Sequence, residues 1–192
     1  MTNVSETYGE LSLRLVTDFI NFLHYTFDEN STLLDIGSGS GKVLLCAQAL
    51  LPFPLKKVYG TEFVPHRNDF AKKLLREHEN YFPKNDFDIT FNNTMFEEDD
   101  IIHESSWTHV IAFDTAFSPE TKEKIVEFLK NQRQKNDIYF VSATALKHGH
   151  HNWNSIDAEF TNEMQLLRNF ARAGDAIHKQ SVTLQIYKIR KK

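Results

Sequence analysis

Three closely spaced glycines follow a short apolar run and could bind a ligand through the backbone. Residues 35–41 read DIGSGSG and hold three of the seven glycines of the chain, which is a high concentration for an ordinary turn. A loop for nucleoside triphosphates needs glycine at position 36 and serine or threonine at 43, where this chain has Ile36 and Val43. A dinucleotide loop needs its last glycine at position 42, which is Lys42. The spacing therefore excludes a nucleoside triphosphate loop and argues against a dinucleotide loop.

Two acidic residues stand at the ends of the first two apolar runs. Asp35 precedes the glycines, and Glu62 follows residues 57–61. A carboxylate at the end of a second strand can accept hydrogen bonds from both hydroxyls of a ribose. The carboxylate of Asp35 can face an ammonium group, directly or through water. The alternative is that the glycines only make a tight turn and that Asp35 caps the following helix.

Predicted helices alternate with predicted strands, without repeats or linkers between them. Apolar residues recur at helical spacing in 12–27, 42–51, 68–81, 121–131 and 157–172, and the acidic segment 97–104 is helix-like. Short apolar runs predict strands at 31–37, 57–61, 87–91, 109–113, 137–144 and 181–189. This order is typical of a single α/β domain whose mostly parallel sheet carries helices on both faces. The last strand is expected to insert antiparallel beside its predecessor at the sheet edge.

The acid followed by alternating glycines, with a second acid after the second strand, resembles the class I S-adenosylmethionine methyltransferases. The resemblance implies a Rossmann-like, mostly parallel seven-stranded sheet with an antiparallel last strand. It implies S-adenosylmethionine as the cofactor and S-adenosylhomocysteine as the product. This cofactor has a methionine tail and no phosphate, so the backbone must approach it closely, which glycine permits because it has no Cβ.

Four short motifs narrow the resemblance to the non-SET histone-lysine methyltransferases of the disruptor-of-telomeric-silencing type. That family has a Tyr-Gly-Glu loop that folds over the cofactor, the glycine loop, a Gly-x-Glu at strand two and a segment after strand four. They match residues 8–10, 35–41, 60–62 and 113–120, in order. The resemblance implies that residues 1–30 cover the cofactor, that 31–192 form the core, and that the cofactor contacts are Tyr8, Gly9, Glu10, Asp35, Gly37, Ser38, Gly39, Gly41, Lys42, Glu62, Thr94 and Met95.

The chain departs from this family where the base and the acceptor bind. Thr94 and Met95 stand at the family's adenine-contacting Asp-Phe, which keeps an apolar contact and loses the acid. Phe113 and Asp114 stand at two asparagines of the family, the first of which lies beside the transferring methyl group. We therefore expect altered contacts to the base and to the acceptor.

Methyl transfer from a sulfonium is an in-line displacement, so the enzyme must align acceptor, methyl and sulfur while excluding water. A lysine acceptor, with a pKa of about 10.4, loses its proton at neutral pH at a cost of roughly 4 kcal/mol, which an apolar channel can supply. Phe113 and Phe117 are candidates to line this channel, and Asp114 to accept a hydrogen bond from the amine. The alternatives are that Asp114 caps the next helix and that Phe117 packs in the core. The family's final-strand channel aromatic aligns near Thr183 and Leu184, neither of which is aromatic.

The composition limits the partners of the protein. A net charge of -4 provides no overall basic field for nucleic acid or an anionic membrane. Without a long apolar run or a signal-like start, an intracellular protein, cytoplasmic or nuclear, is expected. The sequence predicts a methyltransferase that acts on a lysine of a protein, histone or non-histone, with the nucleosome as one candidate partner. The alternatives are a small-molecule N- or O-methyltransferase and a non-catalytic cofactor-binding adaptor.

The loop predicted after the fifth strand contains a cluster of histidines, a residue type that can bind metal ions. His148, His150 and His151 lie within four residues of one another. Their spacing is a poor metal signature, so no metal is expected. Trp153, in the same loop, either covers the acceptor site or packs against the protein. The single cysteine, Cys46, is expected to pack in a helix rather than to react.

Overall fold

The protein folds into a sheet of seven strands flanked by helices. The computed structural model describes residues 13–78, 88–143, 158–170 and 178–192, with residues 115, 160–170 and 178–183 described by their backbone alone. The helices of this part are α1 (Leu13–Leu23), α2 (Lys42–Leu50), α3 (Pro65–His78), α4 (Asp100–Glu104) and α5 (Pro119–Gln132). The strands are β1 (Thr32–Ile36), β2 (Lys57–Thr61), β3 (Ile89–Asn92), β4 (His109–Ala112), β5 (Ile138–Ser142), β6 (Ala158–Phe170) and β7 (His178–Ile189).

The strands lie in the order β3-β2-β1-β4-β5-β7-β6. Strands β1 to β5 are paired in parallel, and β7 runs antiparallel to both of its neighbours. The predicted Rossmann-like fold, with a mostly parallel seven-stranded sheet and an antiparallel last strand, is confirmed. The chain reverses its direction across the sheet between β1 and β4, and in open α/β sheets ligands bind beyond the carboxyl ends of the strands at such a point.

Two hydrophobic cores cover the two faces of the sheet. On one face, α1, α2 and α3 bury apolar side chains such as Phe19, Leu44 and Ala71. On the other face, α4 and α5 do the same with Ile102 and Leu129. All residues of β1 and of β4 are buried, as expected for central parallel strands with helices on both sides.

Residues 158–170 form strand β6, so the helix predicted for 157–172 is wrong. The strand pairs with β7 from Ala158 opposite Ile189 to Phe170 opposite His178, with a register shift between Phe160 and Asn162. A bulge of this kind interrupts the two-residue alternation that identifies a strand. Strand β7 is also longer than predicted and lies between β5 and β6, so β6 rather than β7 is the edge strand.

Asp99 divides the helix-like segment 97–104 into a 3-10 turn (Phe96–Glu98) and the short helix α4. Its Oδ1 accepts a hydrogen bond from the backbone of Ile101, so it caps α4. Its Oδ2 accepts from the Tyr59 hydroxyl at 2.7 Å and from Asn92 Nδ2 at 3.0 Å. Because this buried residue serves three donors, it fixes α4 to the middle of β2 and to the end of β3. Over the described residues, each helix is too short or too polar to cross a bilayer.

Gln48 on α2 is the site of a testable stability gain. Its side chain is buried, and neither Nε2 nor Oε1 has a hydrogen-bond partner among the described residues. Gln48→Met keeps a similar shape and removes both unpaired atoms, so we expect the free energy of unfolding to rise by about 1–3 kcal/mol. Urea denaturation measures the change. The same substitution at the exposed Gln134 is the control and should change stability by less than about 0.5 kcal/mol. A less stable Gln48→Met variant would show that the carboxamide of Gln48 makes hydrogen bonds in the folded protein.

Candidate active site

The glycine loop folds over the carboxyl end of β2. Gly37, Gly39 and Gly41 have φ angles of 75°, 55° and 76°. The backbone N–H groups of Gly37 and Ser38 both donate to the carbonyl of Thr61, each at 2.9 Å. Residues with a Cβ rarely adopt this left-handed conformation, so the path of the loop depends on its glycines.

Two of these glycines also leave room for aromatic rings of the protein. A Cβ on Gly41 would lie 2.5 Å from Cζ of Phe91 and 3.0 Å from Cβ of Ala71. A Cβ on Gly37 would lie 2.9 Å from Cζ of Phe117. The ring of Phe117 therefore lies directly against the glycine loop.

Asp35 is a buried acid with an unsatisfied oxygen. Its Oδ1 has no hydrogen-bond partner among the described residues, and neither has the buried Oγ of Ser38. Burial, and after it the negative charge of Glu62, raises the pKa of Asp35 to about 7. Helix α2 follows Gly41 without a side-chain cap, so the alternative in which Asp35 caps this helix is wrong. An unpaired buried carboxyl group fits a ligand that brings a cation.

Glu62 connects the end of β2 to the glycine loop. Its Oε2 accepts from the backbone N–H of Gly39 at 3.1 Å, and its Oε1 accepts from Val64 at 2.9 Å. The guanidinium of Arg67 lies 4.0 Å from Oε1. A carboxylate has about four lone-pair sites, so two N–H donors leave acceptor capacity for the hydroxyls of a sugar.

The segments after β2 and β3 form the next part of the site. Asn93 Nδ2 donates to the carbonyl of Glu62, and the Thr61 hydroxyl donates to the carbonyl of Thr94, both at 2.8 Å. Met95 follows with 42% of its surface exposed. The predicted pair Thr94 and Met95 therefore lies beside Glu62, at the carboxyl edge of the sheet.

Asp114 joins the carboxyl ends of β4 and β5. It is buried, and its Oδ1 accepts from the Ser142 hydroxyl at 3.0 Å and from the backbone of Ala143 at 3.1 Å. The cap of α5 is instead Ser118, whose hydroxyl accepts from the backbone of Thr121. The alternative of Asp114 as a helix cap is therefore wrong. The described contacts of Asp114 are those of a residue that holds two strand ends together.

The aromatic residues predicted for the acceptor channel pack on opposite sides of the sheet. Phe113 is half-buried and meets Phe19 of α1 edge to face, with ring centroids 5.9 Å apart. Phe117 packs against the core formed by α4 and α5. The two rings therefore do not line the same side of an acceptor channel. Leu184, at the family's final-strand position, is fully buried in the core of the α1 side. Lys42 is half-buried at the start of α2.

Sequence reasoning missed two residues of this edge, Phe63 and Arg67. Phe63 directly follows Glu62 and has 41% of its surface exposed. Arg67 lies in the first turn of α3 and faces Glu62. An apolar residue directly after a strand-end acid, and a cation five residues on, are signals that the sequence contains.

Several predicted residues lie outside the part of the chain that the structure describes. They are Tyr8, Gly9, Glu10, His148, His150, His151 and Trp153. The side chain of Thr183 also lies outside it. Within the described ranges, no group of three or more histidine, cysteine or acidic residues is placed to hold a metal ion.

The site offers an unpaired buried acid, a left-handed glycine loop and a second acid with free acceptor capacity. These groups fit an amino-acid tail and a ribose, and nothing in the loop's pattern requires a phosphate. Fold and site together define a class I methyltransferase, a class whose members use S-adenosylmethionine. The family model described as "Histone methylation protein DOT1" matches residues 2–177, and the chain belongs to this family. The resemblance in the sequence is confirmed.

Solved structures share the fold at low sequence identity. The precorrin-6y C5,15-methyltransferase of Geobacter metallireducens is 14% identical, covers 100% of this chain and 93% of its own, and has a TM-score of 0.58. The yhhF protein of Escherichia coli is 14% identical over 98% and 91% of the two chains, with a TM-score of 0.63. The tRNA m1G37 methyltransferase of M. jannaschii is 17% identical over 95% and 52%, with a TM-score of 0.60. No curated protein sequence matches the chain.

Proposed function

We propose that the protein transfers a methyl group from S-adenosylmethionine to a lysine side chain of a protein substrate, histone or non-histone. The proposal rests on one observation: a DOT1 match over residues 2–177 in a chain whose glycine loop lies between two buried acids. The family description names histone methylation, which supports a protein acceptor. We propose the cytoplasm or the nucleus as the site of the reaction.

The residues of the chain bind and align the cofactor, which supplies an electrophilic methyl group on its sulfonium. Asp35 accepts hydrogen bonds from the ammonium group of the cofactor. This interaction is favourable when the carboxyl group of Asp35 is deprotonated. Glu62 accepts from the ribose hydroxyls while Gly39 and Val64 hold it in place. Phe117 excludes water from the side of Gly37.

The acceptor amine must be neutral to attack the methyl group. For a lysine this costs roughly 4 kcal/mol at neutral pH, and a dry environment reduces the cost because it disfavours the ammonium. We expect the end of β4 to supply such an environment once the substrate covers the half-buried Phe113, because Oδ1 of Asp114 already accepts from Ser142 and Ala143. We assign Asp114 a positioning role for the strand end from which the acceptor is approached.

The charge of the chain favours a protein over a nucleic acid as acceptor. Similar structures are named for action on tRNA and on a precorrin, so the fold alone does not select the acceptor. A net charge of -4 opposes binding to a polyanion unless a local basic patch is present. For the same reason a nucleosome would have to be engaged through its protein surface.

Transfer of a labelled methyl group tests the proposal. The protein is incubated with methyl-labelled S-adenosylmethionine and, in parallel, with whole-cell protein, total tRNA or a small-metabolite extract. We expect label in protein, recovered as methyllysine after hydrolysis. Label in metabolites or tRNA alone would overturn the proposed acceptor, and cofactor binding without any transfer would indicate an adaptor. A Glu62→Ala variant is the control for transfer by contaminating enzymes.

Cofactor binding should depend on pH through Asp35. Because the pKa of Asp35 is raised to about 7, the free protein holds a proton there that an incoming ammonium must displace. The affinity for S-adenosylhomocysteine should therefore rise about tenfold from pH 6 to pH 8. Calorimetric titration measures it. Asp35→Asn should bind more weakly and with a flatter pH profile, and because the ligand's own titration affects both proteins, the difference belongs to Asp35. Parallel profiles would contradict the assignment.

A further inference from the structure

We propose that this protein holds the base of its cofactor by apolar contact with Phe63 and Met95, without a carboxylate from the segment after β3 on the amino group of the base. It therefore accepts cofactors that are altered at that edge. The inference rests on the proposed function, because it presupposes an adenine-bearing cofactor at the glycine loop. It concerns which nucleosides the same site admits.

The two side chains follow neighbouring strands at the same sheet edge. Phe63 comes directly after Glu62, the acid assigned to the ribose, and Met95 comes three residues after the end of β3. The backbone N–H of Glu62 donates to the carbonyl of Asn92 at 3.1 Å, and Asn93 Nδ2 donates back to the carbonyl of Glu62. These bonds hold segments 62–64 and 93–95 side by side. A base attached to a ribose on Glu62 is thus brought to these two segments.

Both side chains are exposed in a way that suits a planar apolar ligand. Phe63 and Met95 are 41% and 42% exposed, whereas the neighbouring Phe91 and Phe96 are buried in the cores. An aromatic ring stacks on any base because every base has a π-face, and a methionine adapts its shape to an aromatic ring. An exposed pair of this kind can bury the base without reading its hydrogen-bonding edge.

The acids of the segment after β3 are engaged elsewhere. Asp99 accepts from Tyr59, Asn92 and the backbone of Ile101. Glu97 accepts from the hydroxyl of Thr121 at 3.1 Å and has Lys124 at 4.0 Å.

Two further residues of this segment, Thr94 and Glu98, also provide no buried carboxylate. Glu98 is exposed, where water competes for any hydrogen bond that it makes. Position 94 is a threonine, and its carbonyl already accepts from Thr61. The segment therefore offers no buried carboxylate to the amino group of adenine.

Three ligands test the tolerance of the site. S-adenosylhomocysteine is compared by calorimetry with its inosine counterpart, which has an oxygen in place of the amino group, and with its N6-methyl counterpart. We expect all three to bind within a factor of about 3. A protein that reads the amino group with a buried acceptor should discriminate by about tenfold or more, and that result would overturn the inference.

Variants test the apolar contact itself. Phe63→Ala should weaken S-adenosylhomocysteine by about 5- to 150-fold, the range of base–aromatic stacking, and should weaken the inosine counterpart by the same factor. Phe70→Ala removes an equally exposed phenylalanine, 47%, from α3, and should leave binding and melting temperature unchanged. If Phe63→Ala and Phe70→Ala both bind S-adenosylhomocysteine with wild-type affinity, the inference is overturned and the proposed function still stands. If wild-type protein binds none of the three ligands, the proposed function fails with it.

Discussion

Replacement of Gly41 by alanine is expected to lower the free energy of unfolding by about 2–5 kcal/mol. About 1–2 kcal/mol of this loss comes from the left-handed φ of 76° at position 41, because a residue with a Cβ adopts this angle only with strain. The other part, about 1–3 kcal/mol, is steric, because the new methyl group would lie 2.5 Å from the buried ring of Phe91. Domains are typically stable by about 5–15 kcal/mol, so urea denaturation should show a large loss.

A double variant separates the two contributions. In Gly41→Ala with Phe91→Leu, the smaller side chain relieves the clash, so the combined loss should fall short of the sum of the single losses by about 1–3 kcal/mol. The strain in φ remains. Ser38→Ala is the control in the same loop and should be close to neutral, because Ser38 already has a Cβ and its Oγ has no partner among the described residues. Additive losses would mean that Phe91 does not lie against Gly41.

Between pH 7 and pH 5, the buried His109 is expected to contribute about 2 kcal/mol of destabilisation. The ring of His109 is buried and stacked, 3.9 Å from Phe27 and 5.2 Å from Tyr139 between centroids. Its nitrogens lie 2.9 Å from the Thr108 hydroxyl and 3.2 Å from the Thr26 hydroxyl. Burial lowers the pKa of His109 to about 3, against hydrogen bonding to Thr26 and the charge of Asp28. The neutral form therefore stabilises the fold fully above pH 6.5, and this stabilisation is lost as pH falls toward 3.

His109→Phe keeps a ring in the stack and removes the titration. Asp35 acts in the opposite sense over the same window: because its pKa is raised to about 7, protonation below that value favours the folded state. The variant should therefore become more stable by about 2 kcal/mol as pH falls from 7 to 5, whereas the wild type, in which the two contributions nearly cancel, should change little. Urea denaturation of both proteins at several pH values measures the difference between them. A difference that stays constant with pH would contradict a neutral, buried His109.

The glycine loop shows how far local pattern determines structure. Strand β2 has the predicted bounds, β1 and α2 differ from theirs by a residue or so at either end, and the loop places its glycines at positive φ. These features depend on short-range chemistry, because an apolar run, three glycines and a helix-forming segment each favour one conformation. Strand β6 was missed because its bulge between Phe160 and Asn162 depends on pairing with β7, which lies outside the segment whose pattern was read.

The end of β4 shows what the sequence could not settle. Asp114 is a plausible helix cap by its neighbours alone, yet it bonds to Ser142 and Ala143, which lie 28 and 29 residues further on. Phe113 and Phe117 are similar in type, and only the turn between them sends one ring to each face of the sheet. Such outcomes depend on how the layers pack, which spacing along one segment does not encode.

The ladder of β6 and β7 continues beyond the sheet that carries it. Strand β5 pairs with β7 only from Gln185 to Ile189, and β7 remains paired with β6 from Leu184 back to His178. At about 3.3 Å per residue, this stretch extends roughly 20 Å past the carboxyl end of β5, at the edge of the sheet where the glycine loop lies. The carboxyl edge of the sheet is therefore uneven, because the β6–β7 pair extends past β5 on one side. For the protein acceptor proposed above, we therefore expect a lysine on a projecting segment to be methylated more readily than one on a broad, flat surface.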